Sequence, residues 1–360
     1  MDKDESRLER TLAAHVRQSH ESLTFITTYK CTAACEDCCF ECTPHLESEM
    51  LTFDFMKQAI DSAIDALPSL RLVVFSGGEC YMLKNELYKT IAYATSKGLA
   101  TRTVSNGYWG KSLDKARRIA RQVHEAGITE VNFSTGLDHQ QWVPLASIAN
   151  GVTTLTELGV TTLVTIEKDT DESNCWNQAH AHPQIRAALA AQPSRLTVIC
   201  NAWMPFKQDS KPRAEDANSA GAGEGCKQIF SNLVITPHKV VSACCGLTFE
   251  HIPEMRLGLY ERAPLRDYVD DLASDFLKLW IHVDGPAAIA RRLLGEGNTP
   301  AIDASVHICQ ACAILHQDAT LRVALAERYM EFMPDVIQRY MLGKMLGTIA
   351  TAREQEVAET

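Results

Sequence analysis

Short apolar runs alternate with amphipathic segments between residues 23 and 199. The apolar runs are typical of buried strands, and they cover residues 23–27, 70–75, 101–104, 130–133, 162–166 and 196–199. Between them, the spacing of apolar residues predicts a helix that Thr52 caps and that ends before Pro68, followed by helices over 85–97, 112–126, 144–158 and 183–191. Six predicted strands therefore alternate with five predicted helices.

This alternation requires parallel strands that are joined by right-handed crossovers. Two α/β architectures satisfy the requirement, a doubly wound sheet and a barrel. The pattern alone does not choose between them. In a barrel, the active site lies at the carboxyl ends of the strands. Each candidate ligand described below comes just after a predicted strand, so it would lie at that end.

The two ends of the chain have a different pattern. Residues 1–21 are polar with helical spacing at Leu8, Leu12 and Val16, which predicts a short surface helix. A polar stretch rich in Ala, Gly and Ser over 206–224 predicts a domain boundary. Beyond it, the pattern predicts two short strands within 232–242, helices over 265–279 and 286–294, a linker over 295–300, and a helical tail over 317–350 that is interrupted at Pro334. We therefore expect four parts, covering residues 1–21, 22–205, 206–316 and 317–360.

Composition restricts the class of protein. Asp and Glu outnumber Lys and Arg by 45 to 35 in a chain of 360 residues, and the net charge of -10 argues against a broad nucleic-acid-binding face. No apolar run approaches the roughly 18 residues of a membrane span, and the charged N-terminus is not a signal peptide, so we expect a cytoplasmic protein. Thirteen cysteines without a secretion signal indicate metal ligands and buried thiols rather than disulfides.

The densest group of cysteines directly follows the first predicted strand. Cys31, Cys35 and Cys38 are spaced CxxxCxxC, and we call them the cysteine tripod. Three thiolates at this spacing can hold one face of an iron–sulfur cluster and leave one iron open to a small molecule. A closed structural zinc site requires four tetrahedral ligands, so we interpret the tripod as a cluster site, with zinc as the alternative.

A glycine-rich turn follows the second predicted strand and contains Gly77, Gly78 and Glu79. Together with the tripod, this turn resembles the radical SAM superfamily, over roughly residues 22–312. The resemblance implies that the tripod holds a four-iron four-sulfur (4Fe-4S) cluster, that S-adenosylmethionine (SAM) chelates the open iron, and that the turn binds the methionyl amine. It also implies an open, partial (βα)6 barrel. One feature departs from the family, because many members carry an aromatic residue just before the third cysteine, where this chain has Asp37.

A second set of cysteines has the same spacing as the tripod. Cys35, Cys39 and Cys42 also form CxxxCxxC, so spacing cannot separate the two registers. We choose the tripod because Cys31 stands just past the strand, and the ligand loop must begin at the carboxyl rim to hold a cluster over the barrel mouth. Cys39 and Cys42 then become neighbours of the cluster.

Polar residues follow the later strands. Ser105 and Asn106 resemble the family's TNG-type turn after the third strand, and Ser134 is similar to a residue that contacts the SAM ribose in many members. Glu167 and Asn201 stand at the ends of the fifth and sixth strands, so they face the same mouth if the barrel is correct. A simple turn or a satisfied structural hydroxyl is the alternative interpretation of these positions.

More cysteines lie beyond the predicted domain boundary. The set consists of Cys226, Cys244 or Cys245, Cys309 and Cys312. Its order resembles the auxiliary-cluster segment called SPASM or twitch. Four thiolates can close one auxiliary 4Fe-4S cluster, and no cysteine follows Cys312 to hold a second one. A structural zinc on the same thiolates is the alternative.

The remaining thiols and the histidines carry weaker signals. Cys80, Cys175 and Cys200 are most simply explained as buried thiols, and Cys80 is a minor candidate for a role toward the substrate because it adjoins the glycine turn. The histidines have no metal-ligand spacing, so we assign them no chemistry; they include His139, His238 and His282.

The resemblance implies an enzyme that cleaves SAM reductively to a 5'-deoxyadenosyl radical, which abstracts hydrogen from a substrate. Members with this auxiliary segment commonly modify ribosomally made peptides, so we expect a precursor peptide as substrate and a low-potential electron donor such as a flavodoxin or ferredoxin. We expect no nucleic-acid or membrane partner. Two alternatives are an oxidoreductase of a small alcohol or sugar whose auxiliary cluster accepts the substrate electron, and a cluster- or zinc-stabilised binding protein without SAM chemistry.

Overall fold

The nine strands in the described part of the chain form one sheet. The computed structural model describes residues 20–201, 204, 225–244 and 246–358, with the backbone alone for 345–358. The strands in chain order are β1 (Ser22–Ile26), β2 (Leu72–Ser76), β3 (Ala100–Ser105), β4 (Glu130–Thr135), β5 (Thr161–Glu167), β6 (Leu196–Asn201), β7 (Asn232–Ile235), β8 (Val240–Ser242) and β9 (Arg256–Leu259). Their order across the sheet is β6-β5-β4-β3-β2-β1-β7-β8-β9.

Helices connect the parallel strands and build the C-terminal part. Those between strands are α1 (Phe53–Ala66), α2 (Asn85–Ser96), α3 (Leu113–Glu125), α4 (Leu137–Gln140), α5 (Leu145–Glu157), α6 (Cys175–Ala181) and α7 (Pro183–Ala191). Those of the C-terminal part are α8 (Leu265–Ser274), α9 (Phe276–Asp284), α10 (Pro286–Leu294), α11 (Pro300–Asp303), α12 (Ile308–Gln317) and α13 (Ala319–Ala358). Among the described residues, no helix is both long and apolar enough to cross a membrane.

The strand order distinguishes the two architectures that the sequence pattern permits. Strands β1 to β6 are parallel, and each lies beside its neighbour in the chain, without the reversal of order that marks a doubly wound sheet. On β2, Val73 and Phe75 belong to the main hydrophobic core, whereas Leu72 and Val74 line a cavity on the other face. The prediction of a partial (βα)6 barrel is confirmed.

The predicted strand pair after the domain boundary belongs to the same sheet. Strand β7 pairs in parallel with β1, and β8 pairs with β7 as an antiparallel hairpin. The hydroxyl of Thr24 on β1 donates to the side-chain oxygen of Asn232 on β7 at 3.0 Å. The barrel and the C-terminal part therefore share one sheet, and the domain limits stay a prediction because residues 206–224 lie outside the described residues.

Most predicted elements agree with the structure to within two residues, because their caps are local. Thr52 accepts from the backbone N–H of Phe55 at 3.3 Å, and Ser112 caps α3 in the same way. Helix α6 was not predicted. The Asp169 carboxylate, six residues upstream, accepts from the backbone N–H of Cys175 at 2.6 Å and so caps this helix, which lacks an apolar stripe.

Two predictions for the C-terminal part are wrong in detail. The segment predicted as one helix over 265–279 divides into α8 and α9, because Asp275 caps a new helix by accepting from Lys278 N–H at 3.1 Å. The predicted interruption at Pro334 is absent from α13, which runs through it. Met333 and Val336 are buried on either side, so packing outweighs the lost backbone hydrogen bond. The helix predicted within residues 1–21 falls on residues 1–19, which lie outside the described residues.

A buried carboxylate fastens α13 to the helices before it. Asp284 accepts from Trp280 Nε1 at 2.8 Å, from Arg292 at 2.8 Å and from Arg339 at 2.9 Å, and its side chain is only 8% exposed. Burial opposes the ionisation of Asp284, but the hydrogen bonds from Arg339, Trp280 and Arg292 outweigh it and lower its pKa.

We expect Asp284→Ala to lower the free energy of unfolding by about 2–4 kcal/mol, because two guanidinium groups and an indole N–H lose their acceptor. Asp335→Ala is the matched control: Asp335 contacts the same arginines but is 50% exposed, so its loss should cost less than about 1 kcal/mol. The pKa of Asp284 is lower in the folded state than in the unfolded state. Its contribution to the free energy of unfolding is therefore fully present above the unfolded-state pKa and is lost as the pH falls through the folded-state pKa. Urea unfolding at several pH values measures both effects, and equal losses in the two variants would contradict the expectation.

Candidate active site

The concave face of the parallel strands encloses a cavity of about 640 Å³. Alternate side chains of each strand point into it, as the two-residue period of a strand requires. On β1 and β5 they include Thr24, Ile26, Leu163 and Thr165. The cysteine loop, the glycine turn and residues at and just after the ends of β3 and β4 line the end of the cavity at the carboxyl ends of the strands.

The cysteine tripod lies at this end of the cavity. Cys31, Cys35 and Cys38 all line it, as do Cys39 and Cys42. The loop starts at the end of β1, and the backbone N–H of Cys31 donates to the carbonyl of Thr43 at 3.2 Å, which closes the loop at its base. The structure therefore brings together all five cysteines of both possible registers.

The thiols of the loop have different electrostatic surroundings. Burial, together with the nearby charge of Glu79, raises the pKa of Cys31 to about 12. A hydrogen bond from the Cys42 thiol, with backbone N–H groups, lowers the pKa of Cys38 to about 6. Burial raises the pKa of Cys35. Without a metal, these thiols therefore differ in their tendency to form the thiolate that a metal requires.

The donor set fits an iron–sulfur cluster. Cluster ligands are thiolates that each bind a different iron, and three of them on one loop at a cavity wall leave the cavity side of a cluster accessible. Among the described residues, no group of three or more His, Cys, Asp or Glu side chains is arranged to hold a single metal ion.

The glycine turn packs against the start of the cysteine loop. The backbone N–H of Gly78 donates to the carbonyl of Thr28 at 2.7 Å, and that of Glu79 donates to the carbonyl of Lys30 at 3.0 Å. A Cβ atom on Gly78 would lie 2.1 Å from the Lys30 carbonyl oxygen, so only glycine allows this approach. Gly77 and Gly78 line the cavity and therefore present their backbone to it.

The Glu79 side chain points away from the cavity. Its carboxylate accepts from the Ser105 hydroxyl at 2.9 Å, from the backbone N–H of Asn106 at 2.9 Å and from that of Tyr81 at 3.1 Å, and it is fully buried. Burial raises the pKa of Glu79 to about 7 against the effect of these hydrogen bonds. Glu79 thus joins the turns after β2 and β3, and its contact with a ligand stays a prediction.

The residues predicted to contact SAM at the ends of β3 and β4 lie at the cavity, and their contact with SAM stays a prediction. Ser105, Asn106 and Ser134 all line it. The amide Nδ2 of Asn106 donates to the Cys31 sulfur at 3.5 Å and to the Thr32 hydroxyl at 3.0 Å, which joins the turn after β3 to the cysteine loop.

Glu167 supports a histidine that sequence reasoning missed. Its carboxylate accepts from the backbone N–H groups of Asp138 and His139, each at 3.0 Å, and contacts the His139 ring nitrogen Nδ1. Burial opposes ionisation, but these partners outweigh it and lower the pKa of Glu167. His139 lines the cavity, as does Asn201, whereas Glu167 lies behind the histidine. The signal available was the position of His139 just after the fourth strand.

The three thiols that we expected to be buried differ in their exposure. Cys80 and Cys175 are buried as expected, and the Cys80 thiol donates to the carbonyl of Val104 at 3.3 Å. The expectation of a buried Cys200 is wrong, because this residue lies on β6 at one edge of the sheet and is exposed.

The second cysteine set also converges. The sulfurs of Cys244 and Cys309 lie 3.6 and 3.2 Å from the position that a Cβ atom of Gly246 would occupy. Burial raises the pKa of Cys312, and the charges of Cys244, Cys309 and Cys226 raise it further, so these three thiols lie within electrostatic range of Cys312. Cys309 and Cys312 lie on α12, one turn apart. Cys245 lies outside the described residues.

A second cavity, of about 590 Å³, lies among the C-terminal helices. Its apolar lining includes Trp280 on α9 and Tyr329 and Met333 on α13. None of the predicted ligands lines it, so the predicted chemistry belongs to the cavity of the sheet.

Comparison with known proteins bears on the fold. No family model matches the chain. Putative peptide biosynthesis protein YydG of Bacillus subtilis (strain 168) is 22% identical over 121 residues, which cover 34% of this chain and 37% of that protein. The match therefore spans little more than a third of this relative.

Two solved structures of anSMEcpe superpose on most of the chain. The structure with bound AdoMet and Kp18Cys peptide gives a TM-score of 0.52, and native anSMEcpe with bound AdoMet gives 0.51; both are 12% identical and cover 88% of this chain and 98% of theirs. The chain shares the fold of these two structures. This fold includes the open six-stranded barrel and continues into the C-terminal part, as the coverage indicates.

Proposed function

We propose that the chain is a radical SAM enzyme that modifies a peptide. The observation that carries the proposal is the arrangement at the carboxyl end of the barrel, where the cysteine tripod and the Gly77–Gly78 backbone line one end of the same cavity. In a barrel, this end is where substrate and cofactor meet.

The tripod would hold the 4Fe-4S cluster, with its open side toward the cavity. When bound, the cluster supplies the electron that cleaves SAM to a 5'-deoxyadenosyl radical, which abstracts hydrogen from the substrate. The backbone of Gly77 and Gly78 offers carbonyl groups for the methionyl amine. Ser105, Asn106 and Ser134 offer neutral donors and acceptors for the rest of SAM, and His139 offers a further one.

The polar groups in the deeper part of the cavity are paired with one another. Thr24 pairs with Asn232, Thr165 donates to Asn132 at 3.0 Å, and Arg102, at the level of Thr24, pairs with Glu130 at 2.7 Å, so this layer presents satisfied polar groups among apolar side chains. An enclosed wall of this kind keeps water and competing hydrogen donors away from a reactive intermediate.

Two relatives support a peptide as substrate. YydG is named a putative peptide biosynthesis protein, and anSMEcpe has been solved with a bound peptide. A precursor peptide reaching one side chain into the cavity is consistent with its volume of about 640 Å³. A flavodoxin or ferredoxin would supply the electron.

The four C-terminal thiols would hold one auxiliary 4Fe-4S cluster. The convergence of the Cys244 and Cys309 sulfurs at Gly246 and the electrostatic effect of the other three thiols on Cys312 support this, and a set of four thiolates leaves no iron open. Its place beside the barrel, on a hairpin that shares the sheet, would keep it close to the cavity.

Release of 5'-deoxyadenosine tests the proposal. Anaerobically reconstituted protein with dithionite and SAM should release it, and Cys35→Ala should abolish the release, because two thiolates of the tripod cannot hold the cluster in place. Cys200→Ala is the matched control, since it removes an exposed thiol outside both cysteine sets. A wild-type protein that carries its full iron and releases no more deoxyadenosine than a protein-free control would refute the radical reaction and favour a binding protein.

A further inference from the structure

The cysteine loop is held from two sides. Its first half is attached to the barrel, through the two hydrogen bonds from Asn106 to Cys31 and Thr32. Between β1 and α1 the described chain forms no helix or strand, so the position of each half depends on such side-chain contacts.

The second half of the loop is attached to the C-terminal part. His251 Nε2 lies 3.1 Å from the carbonyl oxygen of Cys39. Because a carbonyl only accepts, Nε2 must carry the hydrogen and donate it. The neighbouring ring of Phe40 packs edge-on against Phe249, with centroids 5.7 Å apart. We call residues 244 and 246–251 the bridging segment.

The same segment is attached to the second cysteine set. Cys244 belongs to both, and the Thr248 hydroxyl donates to the carbonyl of Cys309 at 3.0 Å. Leu247, which precedes Thr248, lines the cavity of the sheet. A few residues thus connect the ligands of one candidate cluster to the loop that carries Cys38.

The two cysteine sets come close together at this point. Thr248 holds the carbonyl of Cys309 and His251 holds that of Cys39, and the backbone N–H of His251 donates to the carbonyl of Thr248 at 2.9 Å, so the two sets approach each other at this one turn. The Tyr29 hydroxyl, just past β1, donates to the Glu250 carboxylate in the middle of the bridging segment. The segment therefore contacts the base of the cysteine loop as well as its second half.

We propose that the bridging segment couples the two sites, so that a filled auxiliary site strengthens SAM binding at the tripod. Thr248 and His251 act as positioning residues. When a cluster holds the auxiliary thiolates, these two residues fix Cys38 relative to Cys31. SAM then binds without the entropy cost of ordering the second half of the loop. The inference rests on the proposed function. By linkage, SAM strengthens cluster retention at the auxiliary site by the same factor.

The test is a double-mutant cycle on the reconstituted full chain, with SAM affinity measured by equilibrium dialysis and by the SAM-induced change in the electron paramagnetic resonance spectrum. The four proteins are wild type, Cys309→Ala/Cys312→Ala, His251→Phe and the combination. Loss of the auxiliary site should weaken SAM binding about 5- to 50-fold in the wild type, in the range of typical couplings. In the His251→Phe background, the same loss should have almost no further effect.

Conservative variants separate positioning from mere stability. His251→Gln keeps an N–H donor and should restore most of the affinity that His251→Phe loses, although both change the ring. If the double cysteine variant also loses iron from the tripod, Thr248→Val carries the test, because it keeps all four auxiliary thiols. It should retain the iron of both sites and bind SAM more weakly, whereas Thr248→Ser should bind like wild type.

Two results would overturn the coupling: equal SAM affinity with and without the auxiliary site, or an equally large effect of that site in the His251→Phe background. If Thr248→Val is used in place of the double cysteine variant, a SAM affinity equal to that of the wild type would overturn the coupling. A wild-type protein that binds no SAM while its tripod carries iron would instead refute the proposed function, so the two failures are distinguishable.

Discussion

Cys31→Ala should abolish the SAM-responsive electron paramagnetic resonance signal of the reduced protein, whereas Cys42→Ala should retain it. Sequence spacing allows two ligand registers, and all five cysteines of the loop line the cavity. The hydrogen bonds favour the first register. The Cys31 sulfur accepts from Ala33 N–H at 3.4 Å and from Asn106 Nδ2 at 3.5 Å, so two donors already point at the atom that would bind iron.

Cys42 has the opposite role in these hydrogen bonds. Its thiol donates to the carbonyl of Phe40 at 3.8 Å and to the sulfur of Cys38. The bond to Cys38 is the main cause of a raised pKa at Cys42, followed by burial. The Cys42 sulfur is therefore a donor toward Cys38, a member of the tripod, whereas the Cys31 sulfur accepts from two N–H groups.

Iron content provides the control for this prediction. Cys42→Ala should keep the iron and sulfide of the wild type, and Cys31→Ala should lose about one cluster's worth. The reverse pattern, with signal lost in Cys42→Ala and kept in Cys31→Ala, would move the ligand set to Cys35, Cys39 and Cys42.

Replacing Cys309 and Cys312 together by alanine should lower iron and sulfide by about half, to one cluster's worth, while the tripod stays intact. Both residues lie on α12, so the double variant removes one side of the four-thiol set. Cys226 and Cys244 alone cannot close a cluster.

The matched control for the auxiliary site is Cys175→Ala, which removes a buried thiol far from α12 in the chain and should leave the metal content unchanged. Elemental analysis decides between the two metals considered for this site. Zinc in place of iron, lost in the double variant, would make the C-terminal set a structural zinc site.

The sequence by itself determined the alternation of strands and helices, their ends to within about two residues in most cases, and the position of the tripod and glycine turn after strands. These features are local: periodicity, caps such as Thr52 and the glycine pair act over a few residues. The same local patterns predicted which ligands meet in one site, because ligands that each follow a parallel strand lie at the same rim of the barrel.

Only the tertiary structure decided the strand order, the pairing of β7 with β1 and the burial of the Glu79 side chain away from the cavity. It also placed His139 at the cavity and joined His251 to Cys39, 212 residues apart in the chain. Contacts of this kind depend on how whole elements pack, so no local pattern encodes them. The same cause explains why Pro334 does not interrupt α13, because the helix is held by packing on both sides of the proline.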